Sequence, residues 1–219
     1  MHLWWSHAPQ LMLIHISKLS KVSTTTSSYL HSQLPISLCP SNIKYLIIRG
    51  QVTMAPKLPP ARFVKSVLKS FMAESGLEPR LFGPHLRITN ATHGKVDFEL
   101  DITKDHTNRL KILHGGTIAS MVDLGGSLAV ASTGLYATGV STDLSVTYLN
   151  SGGKIGDKIS ATAVCDKIGK TLAYTSVTFK NSLGELAARG SHTKYVTHAV
   201  KAQETPFAPP EGAHIADEE

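Results

Sequence analysis

Between Asn108 and Asp143 the chain reads NRLKILHGGTIASMVDLGGSLAVASTGLYATGVSTD, and Ile118, Met121, Val122, Leu128 and Val130 supply apolar surface among many small residues. That pattern predicts a helix from Gly116 to about Ser132, with its end set near Gly134. Upstream, PPARFVKSVLKSFMAESG puts Phe63, Val64, Val67, Leu68 and Phe71 on one face, with proline at the start and Gly76 at the close, so a second, amphipathic helix is predicted there. HLRITNA and KVDFELDI read as strands separated by the turn Thr92-His93-Gly94, a hairpin. After the long helix the pattern changes to alternation: GVSTDLSVTYL, KISATAVCDKI, TLAYTSVTF and ELAARGSHTKYV, broken by SGGKIGD, Gly169-Lys170 and Asn181-Ser182-Leu183-Gly184. Short turns force antiparallel neighbours, because a parallel pair needs a long crossover, so these four are expected as a meander. A sheet with one apolar face and one long apolar helix bury each other. The predicted class is therefore α+β: a long central helix wrapped by a curved antiparallel sheet of about six strands, with an N-terminal helix.

Composition sets the boundaries. A chain of 219 residues has room for one ordinary domain with tails, and 42% hydrophobic with 17% charged residues is a globular balance. No run approaches the roughly 20 apolar residues of a membrane helix, and no membrane span is predicted. Residues 1–53 are rich in Ser and Thr, carry Lys18, Lys21, Lys44 and Arg49, and have no Asp or Glu. This composition fits a mitochondrial transit peptide, and a non-native extension with Met54 as the working start fits equally; either way these residues stay outside the fold as a disordered leader. The expected domain is 54–198, and the Pro-containing, acid-ended stretch 199–219 is expected to be a disordered tail. The location follows the leader: mitochondrial, with the cytoplasm as the alternative.

Removing the leader changes the meaning of the net charge of +6, since four of the 22 basic residues and none of the 16 acidic ones fall in it. The near-neutral remainder excludes a nucleic-acid binder, which concentrates cations on its folded face. The two cysteines, Cys39 and Cys165, are too few and too isolated for a disulfide framework or a Cys-based zinc site. No metal site is expected.

Against that background Asp123 stands out, the one charged residue between His114 and Asp143. A surface helix normally carries several charges, and a carboxylate buried in an apolar helix asks for a chemical reason. The competing reading has Asp123 facing solvent or bonding a backbone amide.

A helix wrapped by an antiparallel sheet, entered through N-x-x-x-x-x-H-G-G, with Asp in the helix and G-V-S-T-D-L-S-V-T-Y-L after it, resembles the hotdog-fold acyl-coenzyme A thioesterases. Within these the likeness is to the PaaI-like group and its eukaryotic branch, thioesterase superfamily member two, and it covers roughly residues 60–196. The resemblance implies hydrolysis of acyl-CoA to free acid and CoA, in fatty acid metabolism, with no cofactor because CoA is part of the substrate. It implies that Asn108 and the amide of Gly115 polarise the thioester carbonyl. Asp123 would be general base or nucleophile, and Ser141 would help to position water. Asn108 and Gly115 would come from one subunit and Asp123 and Ser141 from the other, in a homodimer that assembles to a homotetramer. The physics of the first part is independent of the likeness: amides at a helix N-terminus are unpaired donors, and the helix dipole favours an oxyanion.

The same likeness assigns the turn Lys167-Ile168-Gly169-Lys170-Thr171-Leu172 to the CoA nucleotide, with Tyr148 and Tyr195 and, further out, Lys194 and Arg189. Each residue alone has a plainer reading: Asn108 capping a loop, His114 fixing the turn and helix entry rather than serving as base, Ser141 an ordinary strand serine outside any G-x-S-x-G elbow. Gly125 and Gly126 in mid-helix either open an acyl tunnel or permit closer sheet contact. A non-catalytic acyl-CoA binding or scaffold protein of the same fold is the alternative function. A hotdog hydratase is disfavoured, because the Asp–His pair such enzymes carry before the helix is missing from this sequence.

Overall fold

A computed structural model describes residues 56–217; the expected leader, 1–53, lies outside the described residues. The first element is helix α1, Pro60–Glu74, with proline at its first position and Phe63, Val64 and Val67 buried. A short helix, α2 (Glu78–Leu81), leads to the hairpin β1 (Leu86–Thr92) and β2 (Lys95–Asp101). The long helix α3 runs Gly115–Ala131, followed by β3 (Val140–Tyr148), β4 (Lys158–Ile168), β5 (Leu172–Lys180), β6 (Leu186–Tyr195) and α4 (Thr197–Ala202). The hotdog architecture expected from the sequence is the architecture found: six antiparallel strands around α3.

The strand order is β1-β2-β4-β5-β6-β3, which corrects the expected four-strand meander. Only β4, β5 and β6 follow one another in space; β3 crosses to the far edge and pairs with β6. The reason lies in residues 149–157, which do not form a tight turn. They bond instead to the segment before α3, through Leu113 N–H to Gly153 O (2.9 Å) and Gly156 N–H to Ile102 O (2.9 Å), and so carry the chain across to β2.

Helix α3 is apolar nearly all round, as an element enclosed by sheet must be. Met121, Val122, Leu128 and Ala129 are fully buried in one core with Phe98, Phe179, Ile159 and Leu100 from the strands, and Val130 is buried in a second, smaller cluster with Ala173, Val196 and Ala199. Each large side chain so buried stabilises by roughly 1.5–3 kcal/mol. The two mid-helix glycines are explained by contact: a Cβ on Gly125 would lie 2.8 Å from the Phe98 ring, and one on Gly126 would lie 2.6 Å from both His192 Nδ1 and Thr175 Oγ1. Of the two readings of these glycines, closer sheet contact is the one the packing supports.

Where a disordered tail is expected, residues 199–217 have defined structure. Phe207 N–H donates to Gly134 O, Leu58 N–H to Phe207 O, and the Phe207 ring meets Phe63 edge-on. Further on, Arg62 Nε donates to Ala216 O and Ala216 N–H to Ser66 Oγ, laying the chain along α1. The apolar Phe207 and these backbone bonds outweigh the Pro-rich, acidic composition.

Candidate active site

The loop before α3 is built around His106, which is 1% exposed. Its Nδ1 accepts from Thr103 N–H (3.0 Å) and its Nε2 meets Leu81 O (2.6 Å), so the ring joins α2 to the loop. Its backbone carbonyl accepts from His114 N–H (2.9 Å) and Thr117 Oγ1 (3.1 Å), which fixes where α3 begins. His114 is the N-cap: its Nδ1 accepts from Gly116 N–H at 2.8 Å, the turn-fixing part expected of it. The Gly115 N–H, first of the helix, has no acceptor among the described residues. Asn108 Oδ1 accepts from Leu110 N–H (2.9 Å) and Ile112 N–H (3.4 Å), so its oxygen caps the loop while its Nδ2 donors have no partner among the described residues. Tyr148, half-exposed at the end of β3, donates its hydroxyl to Gly115 O at 2.8 Å.

Eight residues further along α3 is Asp123, roughly 12 Å from Gly115 at 1.5 Å per residue. Its side chain is 49% exposed in the single protomer, so the carboxylate expected to be buried opens on a cleft instead. Ser141 Oγ donates to Asp123 Oδ1 (3.2 Å), and His192 Nε2 lies 2.8 Å from Ser141 Oγ and 3.4 Å from Oδ1. Lys194 Nζ is 4.0 Å from the same oxygen. The Ser141, His192 and Lys194 contacts with the carboxylate all fall on Oδ1; Oδ2 has no hydrogen-bond partner among the described residues.

His192 and Lys194 are 0% and 3% exposed. Burial, then the Lys194 charge, pushes the His192 ring below its ordinary pKa against the opposing pull of Asp123 and Asp143. Burial likewise pushes Lys194 down, with Asp123 opposing. A buried ammonium costs several kcal/mol unless it is paired, and Asp123 is the acid beside it. Lys194 is therefore no surface cation for a nucleotide, as expected of it, but part of the carboxylate's surroundings. The cleft here, about 270 Å³, is lined by Phe71 and Glu78 as well as Asp123, Ser127, Ser141 and Lys194. A larger hollow of about 390 Å³ lies among Tyr136, Gln203 and Pro209, away from these groups, with Glu204 as the one charged residue in its lining.

The expected nucleotide residues fall in two places. Gly169, Lys170 and Thr171 form the exposed turn between β4 and β5, closed by Gly169 N–H to Leu172 O at 2.8 Å, with Lys167 and Ile168 ending β4. Tyr195 pairs with Leu172 beside it. Tyr148 pairs with Ala188 at the opposite end of the β3–β6 ladder from Tyr195, so one protomer does not bring it to the turn. Among the described residues no group of three His, Cys, Asp or Glu side chains is placed to hold a metal ion, and no helix is long and apolar enough to cross a membrane.

His192 and the burial of Lys194 were missed in the sequence, although the signal was present: in ELAARGSHTKYV both stand on the inward parity of β6, with Ala188 and Gly190.

Comparison with known proteins gives this geometry a family. Residues 110–188 match the thioesterase superfamily. A putative esterase of Schizosaccharomyces pombe is 44% identical over 138 residues, which cover 63% of this chain and 85% of that protein. Acyl-coenzyme A thioesterase 13 of Homo sapiens is 39% identical over 61% of this chain and 94% of its own length. Among solved structures, zebra fish thioesterase superfamily member 2 superposes with a TM-score of 0.55 at 37% identity, covering 60% of this chain and 96% of that one.

Proposed function

The chain belongs to the thioesterase superfamily, and from that premise we propose that it hydrolyses acyl-CoA to a free carboxylic acid and CoA at a seam between two protomers. Acyl-CoA thioesterase activity is supported by the relatives that cover nearly their whole length here, acyl-coenzyme A thioesterase 13 foremost. The donors of the HGG turn polarise the thioester carbonyl: Gly115 N–H at the positive end of α3, with Asn108 Nδ2 beside it. Asp123 takes a proton from water as the water oxygen bonds to the carbonyl carbon. The tetrahedral oxyanion collapses, the C–S bond breaks, and the departing thiolate of CoA takes the proton held by Asp123. The new acid loses its proton to solvent.

One observation carries the two-protomer reading: Gly115 and Asp123 are about 12 Å apart on one helix, too far to touch the same carbonyl. Strand β3 supplies the remedy. It is one of the two sheet edges, paired among the described residues to β6 alone, and each of its residues is exposed except half-buried Val146. An exposed apolar edge with Val140 64% and Leu144 37% exposed is a template for pairing. Ser141 at the start of β3 adjoins Asp123, and Tyr148 at its end adjoins Gly115. Antiparallel pairing of β3 with its own copy about a two-fold axis therefore brings the HGG turn of one protomer to the carboxylate of the other. The same operation carries Tyr148 toward the Tyr195 end of the partner, uniting the two halves of the nucleotide set. Lys167 and Lys170 then meet the anionic phosphates of CoA. The test is release of thiol from thioesters of graded chain length by the purified protein, with turnover expected; binding of acyl-CoA without thiol release would favour the scaffold reading.

A further inference from the structure

We propose that His192 is a positioning residue of this site: held as the neutral Nε2–H tautomer, it donates to Ser141 Oγ, commits the Ser141 hydroxyl to Asp123 Oδ1, and so reserves Oδ2 for the proton of the attacking water. The inference rests on the reading of Asp123 given above.

The hydrogen bookkeeping leaves one arrangement. Ser141 has a single hydroxyl hydrogen, with Asp123 Oδ1 at 3.2 Å and His192 Nε2 at 2.8 Å. A carboxylate only accepts, so that hydrogen points at Asp123 and the serine oxygen must accept from the imidazole. The reverse arrangement would turn the serine lone pairs on Oδ1 and place the only ring hydrogen on Nδ1. That atom is buried and has no hydrogen-bond partner among the described residues. A buried orphan N–H costs more than a buried orphan lone pair, and an imidazolium would orphan the same Nδ1–H. Nδ1 faces α3 at Gly126, where an added Cβ would lie 2.6 Å from it.

The groups facing the ring from the packed elements pull in both directions, and burial decides between them. Lys194 on the same strand disfavours a second positive charge, Asp123 from α3 and Asp143 from β3 oppose it, and burial tips the balance to the neutral form. Thr175 on β5 bonds only the His192 carbonyl (2.9 Å), which fixes the backbone rather than the ring. Ser141 bonds Oδ1, and His192 and Lys194 lie nearest the same oxygen, which leaves Oδ2 without a hydrogen-bond partner among the described residues.

Two measurements test this. In protein carrying ¹⁵N-labelled histidine rings, long-range ¹H–¹⁵N spectra at neutral pH are expected to give one ring, absent from His192→Gln, with Nε2 protonated and Nδ1 bare; a proton on Nδ1 overturns the inference whatever the activity. In kinetics, His192→Leu is expected to lose on the order of 10- to 100-fold in kcat with KM within about twofold, the scale seen when an outer group orients a reacting one. His192→Gln, which restores an N–H near Nε2, regains most of that loss. An unchanged kcat in His192→Leu overturns the proposal, and so does a His192→Gln variant that folds and is as slow as His192→Leu. If the leucine variant does not fold, the spectra and the glutamine variant decide. Failure of the enzyme reading is separate: Asp123→Asn would then keep its turnover while the ring spectrum stayed as expected.

Discussion

Asp123 carries the only charge on α3 and spends it on one oxygen. Replacing it by Asn removes the proton acceptor but keeps an oxygen for Ser141 to bond, and at 49% exposure the site tolerates the change. Asp123→Asn is therefore expected to lose on the order of 10³-fold or more in kcat, with the melting temperature nearly unmoved; steady-state thiol release and a thermal melt check both. His192 gives a pH dependence of stability. Its folded pKa is depressed below the unfolded value of about 6.5, so between the two the unfolded chain binds the extra proton. Stability from this group is full above about 6.5 and falls as pH drops toward the folded value. Wild-type melting temperatures are thus expected to fall more steeply on acidification than those of His192→Gln. Asp123 stood out in the sequence as the one charge in an apolar, small-residue helix, whereas Asn108, His114 and Ser141 were singled out by the family resemblance and each alone reads as an ordinary loop, turn or strand residue. His192 shares the parity of Ala188 and Gly190 on an alternating strand, but parity alone does not say which face of β6 meets α3.

At the scale of elements, α3 and β6 meet through absence of side chain. A methyl group on Gly126 would collide with His192 Nδ1 and Thr175 Oγ1, neither free to retreat from a packed ladder. Gly126→Ala is expected to destabilise by about 1–3 kcal/mol despite its better helix propensity, and to lower kcat by displacing His192; denaturant unfolding and kinetics on the same sample check this. The β4–β5 turn makes a different kind of prediction. Replacing Lys167 and Lys170 together by Ala is expected to raise KM several-fold with kcat held, and the difference from wild type should shrink with salt as screening weakens the wild-type contact. The elements themselves were readable because alternation and helical spacing are local, whereas the position of β3 was not. Its nine residues alternate like any strand, and only the bonds of residues 149–157 to the pre-helix segment send it to the sheet edge. The ordering of residues 199–217 was hidden for the same reason: Phe207 and Ala216 find partners on Phe63 and Ser66, far away in sequence.

For the whole molecule, the proposed seam means that a protomer on its own would not hold a working site. Asn108 and Gly115 stand at one end of α3, Asp123 and Ser141 at its middle, and β3 runs bare between them. If two copies join through that edge, damage to the two ends is separable. Asn108→Ala spoils the carbonyl end and Asp123→Asn the proton-accepting end; in a mixed dimer one site collects both defects and the other collects neither. The decisive measurement is thiol release after the two inactive variants are co-refolded in equal amounts. Random pairing makes half of the dimers mixed, each with one intact site of two, so about a quarter of wild-type activity is expected. A mixed sample that forms dimers yet is no more active than its parents would contradict a shared site.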